Sequence, residues 1–335
     1  MEPVRWGILS TARIGLDQVI PAMMQSELCD IRAIASRDRS RGQAAAERLG
    51  IPKAYDSYAG LLADPDIEAI YNPLPNHLHV PLSIEALAAG KHVLCEKPIG
   101  LNAAETADLL AARDQGDRLI VEAFMVRHHP QWQRAREILR SGEIGPLRLI
   151  QSTFSFFNDN PRDIRNRPET GGGALYDIGV YPITAARYFL ASEPKRVFGA
   201  IRQDPDFGTD ILTSGMMEFE DAMAVFTVST QMVPYQRLHL FAAKGRIEIR
   251  IPYNAPSDAE TRIYLDDGSG LGDVSARSET IAPCDQYRLQ AERFGRCVRG
   301  LETPEFPLED SLAQMRLVDA IFASARSGQW IDMPA

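Results

Sequence analysis

The stretch PLSIEALAAGKHVLCEKPIGLNAAE, residues 81–105, contains one full repeat of the fold. Pro81 opens a helix at the position where a missing N–H costs nothing. Ile84, Leu87 and Ala88 share one helical face, and Gly90 stops the helix in the left-handed position that suits glycine. HVLC, 92–95, is a short apolar run between turn signals and reads as a buried strand. Asn102, with Glu105 three residues on, marks the next helix start. The alternation continues outward, with strands expected at 4–9, 30–36, 67–71 and 119–122 and helices at 14–25 and 39–49. Strands alternating with helices require right-handed crossovers and give a doubly wound parallel sheet, the Rossmann arrangement.

Past this region the pattern changes. A helix at 131–140 ends at Ser141-Gly142, and β-rich segments follow at 147–157, 212–219, 222–231, 238–241 and 246–251. Short turns such as FEDAM and AAKGR join successive strands, which predicts a mostly antiparallel sheet. Helices are expected at 287–299 and 309–327, the last with Leu312, Met315, Val318 and Phe322 in one stripe. The fold class is therefore α/β followed by α+β. Two domains are expected, residues 1–125 and 126–335, with their roles as dinucleotide-binding domain and as substrate and oligomerisation domain resting on the motifs and the resemblance given below.

Composition excludes several function classes. Lys plus Arg number 36 against 45 Asp plus Glu, a formal charge of −9, and no segment concentrates base as a nucleic-acid binder would. No apolar run is long enough for a bilayer, and MEPVRWGILS lacks a secretory pattern. Four cysteines without CxxC pairing fit reduced thiols, so a cytoplasmic location is expected. His77 and His79 have no carboxylates or cysteines at ligand spacing, so no metal site is expected.

In an open parallel sheet, ligands bind at the carboxyl ends of the strands. The first such end is GILSTARIG, where a G-x-G-x-x-G fingerprint would fall on Ser10, Ala12 and Gly15, and only the third glycine is present. Small residues still admit a pyrophosphate, so Ser10, Thr11, Ala12, Arg13 and Ile14 are cofactor candidates. After the second strand comes SRDRSR: Ser36 stands where an NAD-binding acid is expected, with Arg37 and Arg41 just beyond and Asp38 suited to a helix cap. This favours NADP over NAD. Pro73, Leu74, Asn76 and His79 follow the third apolar strand and are further cofactor candidates, as are Glu96 and Lys97. In GGGALYDIGVYPI, residues 171–183, Asp177 and Tyr181 lie four apart on one helical face. A lysine ammonium favours phenolate, and a carboxylate can hold the lysine. Lys97, Tyr181 and Asp177 thus form a complete proton-transfer set, provided that the tertiary structure unites them. Arg127, Phe154, Arg165, Arg167 and Tyr176 are candidates for substrate contact.

VLCEKPIG together with GGGALYDIGVY, RWGILSTARIG and EAFMVRHHPQ resembles the glucose–fructose oxidoreductase/inositol dehydrogenase/MocA-like (Gfo/Idh/MocA) family. The resemblance implies a Rossmann domain, then a large open antiparallel sheet whose exposed face pairs subunits into a homodimer or higher homo-oligomer. It also implies that Lys97 lies near the nicotinamide and the reacting carbon, and that Asn76 and His79 match the family's N-x-x-H. Many members carry histidine where this chain has Tyr181. Tyrosine resembles the branch of NADP-dependent aldose (xylose) dehydrogenases and dimeric dihydrodiol dehydrogenase. The expected function is NADP-dependent hydride transfer at a carbinol or carbonyl carbon of a sugar or polyol, with an aldose such as xylose or glucose foremost. A trans-dihydrodiol dehydrogenase or keto-sugar reductase is the alternative. From another class come a non-catalytic NADP-binding regulator and a nicotinamide-assisted glycosidase.

Overall fold

The computed structural model describes residues 1–334. They divide into two units: Met1–Met125 with Asp285–Met315, and Val126–Cys284 with the chain from Arg316 onward.

The first unit is built on six strands: β1 (Val4–Leu9), β2 (Cys29–Ala35), β3 (Lys53–Tyr55), β4 (Ala69–Asn72), β5 (His92–Cys95) and β6 (Ile120–Glu122). All neighbours pair in parallel, in the order β3-β2-β1-β4-β5-β6. The crossovers carry α1 (Ile20–Met24), α2 (Arg39–Leu49), α3 (Tyr58–Leu62), α4 (His79–Ala88) and α5 (Ala103–Arg113). A sheet covered on both faces needs strands that are apolar throughout. Trp6, Ile8, Ile34, Ala69 and Leu94 supply this and are all fully buried. Asn102 caps α5 by accepting the Glu105 N–H at 2.8 Å, while Glu105 reaches back one residue further, to the Leu101 N–H at 2.9 Å.

The second unit contains α6 (Pro130–Ser141), α7 (Val180–Leu190) and a nine-stranded sheet of β7 (Leu147–Phe157), β8 (Arg196–Gln203), β9 (Asp210–Glu218), β10 (Met223–Ser229), β11 (Gln231–Ala242), β12 (Gly245–Ile249), β13 (Thr261–Asp266), β14 (Arg277–Ile281) and β15 (Ile331–Asp332). Its order is β14-β13-β12-β11-β7-β10-β9-β8-β15. Only the β10–β7 pair is parallel among these described strands. Side chains alternate across this sheet. Ile150, Ala224, Met217 and Val197 are buried on one face, whereas Gln151, Val225, Met216 and Phe198 form a cross-strand row on the other.

The last two helices are α8 (Gln286–Val298) and α9 (Leu308–Ser327). The sequence reading places 285–315 in the second domain, but this segment packs with the first unit. Ala291 and Phe294 of α8 join the core of Val4, Trp6 and Ile31, and the Phe294 ring lies 5.0 Å from that of Trp6. An apolar helical stripe announces a buried face, not the sheet that buries it. The C-terminal part of α9 belongs to the second unit. There Gly199 of β8 lets the sheet approach, because a Cβ would lie 2.7 Å from Ile321 O. No helix among the described residues is long and apolar enough to cross a membrane. The four cysteines are free thiols, and no cluster of potential metal ligands occurs among the described residues.

Candidate active site

In the first unit, strand order reverses between β1 and β4, and this is where a doubly wound sheet receives its ligand. Ser10 follows β1 with φ +78°. A left-handed L-residue costs about 1–2 kcal/mol. Its Oγ offsets part of that by accepting the Ala12 N–H at 3.2 Å, while Ser10 N–H donates to Ala35 O at 2.8 Å. Serine thus adopts the conformation for which the fingerprint's glycine is suited. Thr11, Ala12 and Ile14 are half-buried, and Arg13 is open to solvent beside Asp17. After β2, Ser36 Oγ accepts the Asp38 N–H at 3.2 Å, and Asp38 caps α2 by accepting from Arg41 N at 3.1 Å and Ser40 Oγ at 2.7 Å. Those bonds, the Ser40 hydroxyl first, hold the Asp38 carboxyl below its usual range. With Asp38 Oδ1 engaged in the cap, Arg37, Arg39 and Arg41 are exposed cations past the strand end.

The E-K-P loop after β5 is fixed on three sides. Glu96 is buried and accepts from the Tyr71 hydroxyl at 2.8 Å and from Lys97 N at 3.3 Å. Ile99 N–H donates to Glu122 Oε1 at 2.8 Å. The fully buried His79 ring lies between Pro98 O and Leu74 O, 2.6 Å from each through Nδ1 and Nε2. It therefore ties the Pro73–Asn76 turn to the E-K-P loop. Burial outweighs both carbonyls and pulls the imidazole from 6.5 to about 4, so at neutral pH one N–H donates to one of the two oxygens. Asn72 braces the same turn, accepting Leu74 N–H at 3.3 Å and donating to His79 O and Ser83 Oγ. Pro73 and Leu74 are buried and Asn76 half-buried. From Val93 to Gly100, Lys97 alone is not buried. Lys97 itself is half-buried at the carboxyl end of β5.

In the second unit, Asp177 and Tyr181 sit on the entry to α7, which begins with a π-helical turn at Leu175–Gly179. A second π-helical turn, Gly15–Val19, opens α1 behind the Ser10 loop. Proline follows both turns, Pro21 and Pro182. Its ring collides with the carbonyl four residues back. The ladder slips to five: Ile20 N–H donates to Gly15 O, and Val180 N–H to Leu175 O. Arg165 Nε donates to Asp177 Oδ2 at 2.8 Å, and that carboxylate holds the guanidinium's pKa above its ordinary value. Tyr181 is buried against Phe154, ring centres 5.8 Å apart, and Tyr253, 5.2 Å. Tyr253 stacks on Phe154 at 5.0 Å, and its hydroxyl shares a 2.5 Å hydrogen bond with Ser152. Arg127 is buried, Arg167 pairs with Glu169 in the exposed loop, and Tyr176 packs on Phe322 of α9. Tyr71, Tyr253, Ser152 and Asp210 are the residues that sequence reasoning missed. Only Tyr71, at a strand's carboxyl end, carried a signal.

The geometry fits a dinucleotide: a left-handed turn after β1, small residues around it, cations past β2 and a lysine past β5. Comparison with known proteins agrees. The model of the oxidoreductase family, NAD-binding Rossmann fold, matches residues 4–123, and the GFO/IDH/MocA C-terminal domain matches 132–248. The chain belongs to the Gfo/Idh/MocA family. This Gfo/Idh/MocA oxidoreductase is 48% identical to an uncharacterized oxidoreductase of Rhizobium meliloti, over 98% of this chain and 99% of that one. It is 40% identical to D-xylose 1-dehydrogenase (NADP(+)) 2 of Haloferax volcanii, again over 98% and 99%. Among solved structures it matches KijD10, a 3-ketoreductase from Actinomadura kijaniata in complex with NADP and TDP-benzene. That TM-score is 0.90, at 30% identity over 96% of this chain and 98% of that one.

Proposed function

We propose that this oxidoreductase transfers a hydride between NADP and a carbinol or carbonyl carbon of a sugar, with an aldose such as xylose or glucose as the first substrate class. The observation that carries the reading is the E-K-P loop, whose backbone is held by Glu96, Glu122 and His79 while Lys97 stays accessible. A nicotinamide, when bound, accepts or gives the hydride. The chain's own groups handle the proton. Tyr181 takes it from the substrate hydroxyl during oxidation and returns it during reduction. Lys97 favours the phenolate and holds the substrate oxygen. Asp177, paired with Arg165, fixes one side of the same helix turn. Arg37 and Arg41 bind the 2′-phosphate, while Asp38 holds the start of α2 through its Oδ1. The xylose dehydrogenase supports both the sugar and the NADP. KijD10 has been solved with a lysine replaced by alanine and, separately, with a tyrosine replaced by phenylalanine, the two residue types on which this reading relies. It also favours a second reading, reduction of a keto-sugar by the same residues.

The test is a spectrophotometric screen of aldoses, keto-sugars, inositols and trans-dihydrodiols, each with NADP and with NAD. NADP-linked oxidation of an aldose supports the reading. Turnover confined to NAD, or to substrates without a sugar-like hydroxyl, refutes it.

A further inference from the structure

We propose that Asp210 is the positioning residue that sets the Asp177–Tyr181 helix turn and, through Gly173, the Arg165 loop. This rests on the proton-transfer role given to Tyr181 above. Asp210 is the first residue of β9 and is buried. Its Oδ2 accepts the Leu175 N–H at 2.7 Å and the Thr213 hydroxyl at 2.7 Å. Leu175 N–H belongs to the first turn of the site helix, where donors have no partner inside the helix and a carboxylate is favourably placed.

The other carboxylate oxygen explains Gly173. Gly173 has φ +122°, and a Cβ there would lie 2.0 Å from Asp210 Oδ1. Gly173 N–H in turn donates to Arg165 O at 2.8 Å, and its carbonyl accepts Asp177 N–H at 3.0 Å. At Gly172 a Cβ would be 2.5 Å from Arg165 O. One carboxylate therefore sits beneath Gly173 and the helix start, and Gly173 in turn joins the arginine loop. Burial raises its pKa against the opposing donors, Thr213 first, so it gains its place only while those bonds are made. Tyr181 lies six residues past Leu175, within two turns of the anchored donor.

Asp210→Asn and Thr213→Val test the proposal. In the asparagine variant kcat should fall about tenfold or more, with substrate KM changing far less and the NADP Kd unchanged, since misplacement by a fraction of an ångström is felt in the reacting geometry. Thr213→Val should show a smaller loss of the same kind. Deuterium exchange should quicken in residues 174–181 while β10 keeps its wild-type protection. The proposal is overturned if folded Asp210→Asn retains wild-type kcat. It is equally overturned if exchange rises uniformly through the second sheet, with kcat and KM changing together. Should circular dichroism show Asp210→Asn unfolded, Thr213→Val decides by the same criteria. Exchange is read without substrate. A wild-type protein inactive on every sugar would therefore sink the proposed function and leave the exchange result to judge Asp210.

Discussion

His79→Leu tests the cross-tie beneath the E-K-P loop, and its effect should reverse with pH. The ring is enclosed between two carbonyl oxygens at 2.6 Å. Neutral, it has one N–H, so leucine removes one hydrogen bond and leaves one buried carbonyl unpaired. That costs about 1–3 kcal/mol near neutral pH. Acid changes the comparison. The unfolded imidazole titrates at 6.5 and the folded one at about 4. Between those values the unfolded chain holds more protons, so wild-type stability is lost as pH falls. The gap amounts to about 3 kcal/mol at ~1.4 kcal/mol per pH unit. The leucine variant has no such loss. His92 and His129, also lowered to about 4 by burial, titrate in both proteins and cancel in the comparison. Urea unfolding followed by tryptophan fluorescence, with Trp6 in the core of the same unit, measures both stabilities. The variant should be less stable by about 2 kcal/mol near pH 7 and equal or better near pH 4. Parallel stability curves across that range would show that the two carbonyls keep the ring charged, and the reasoning would be wrong.

Lys97→Met should lower kcat by ~10²–10⁴-fold or more while NADP Kd, measured by fluorescence titration, changes little; lost cofactor binding with residual turnover refutes the assignment. Arg37→Ala should weaken NADP about tenfold or more and leave NAD nearly unchanged, because a charged hydrogen bond to the 2′-phosphate is worth ~1.5–3 kcal/mol. The open face of the second sheet, where Val225 lies between Gln151 and Met216, is proposed as the subunit contact. Val225→Glu should then shift the protein toward monomer in analytical ultracentrifugation, and an unchanged assembly would place the contact elsewhere.

Much of the fold was legible because its signals are local. Helix α2 runs over Arg39–Leu49 and β7 over Leu147–Phe157, the bounds that periodicity, the Asp38 cap and flanking turns indicate. Lys97 was placed at a strand's carboxyl end by the run HVLC, three of its four residues apolar, and a proline. Other elements have no local signature. β3 is three residues long and β14 is mostly exposed, so no buried alternation marks them. The readings at 222–231 and 238–241 gave way to β10 ending at Ser229 and β11 running from Gln231, with a bulge before Tyr235 that sequence does not announce.

The sequence by itself determined which segments alternate, where one strand hands over to a helix, and which residue types stand at those ends. Periodicity, caps and turn chemistry act within a few residues, so they can be read along the chain. Tertiary structure decided what those ends rest on: His79 beneath Pro98, Glu96 against Tyr71, Tyr253 against Tyr181, Asp210 beneath Gly173, and α8 in the first core. A buried polar group must find its partner, and an apolar stripe its covering face, among segments that meet only when the chain packs.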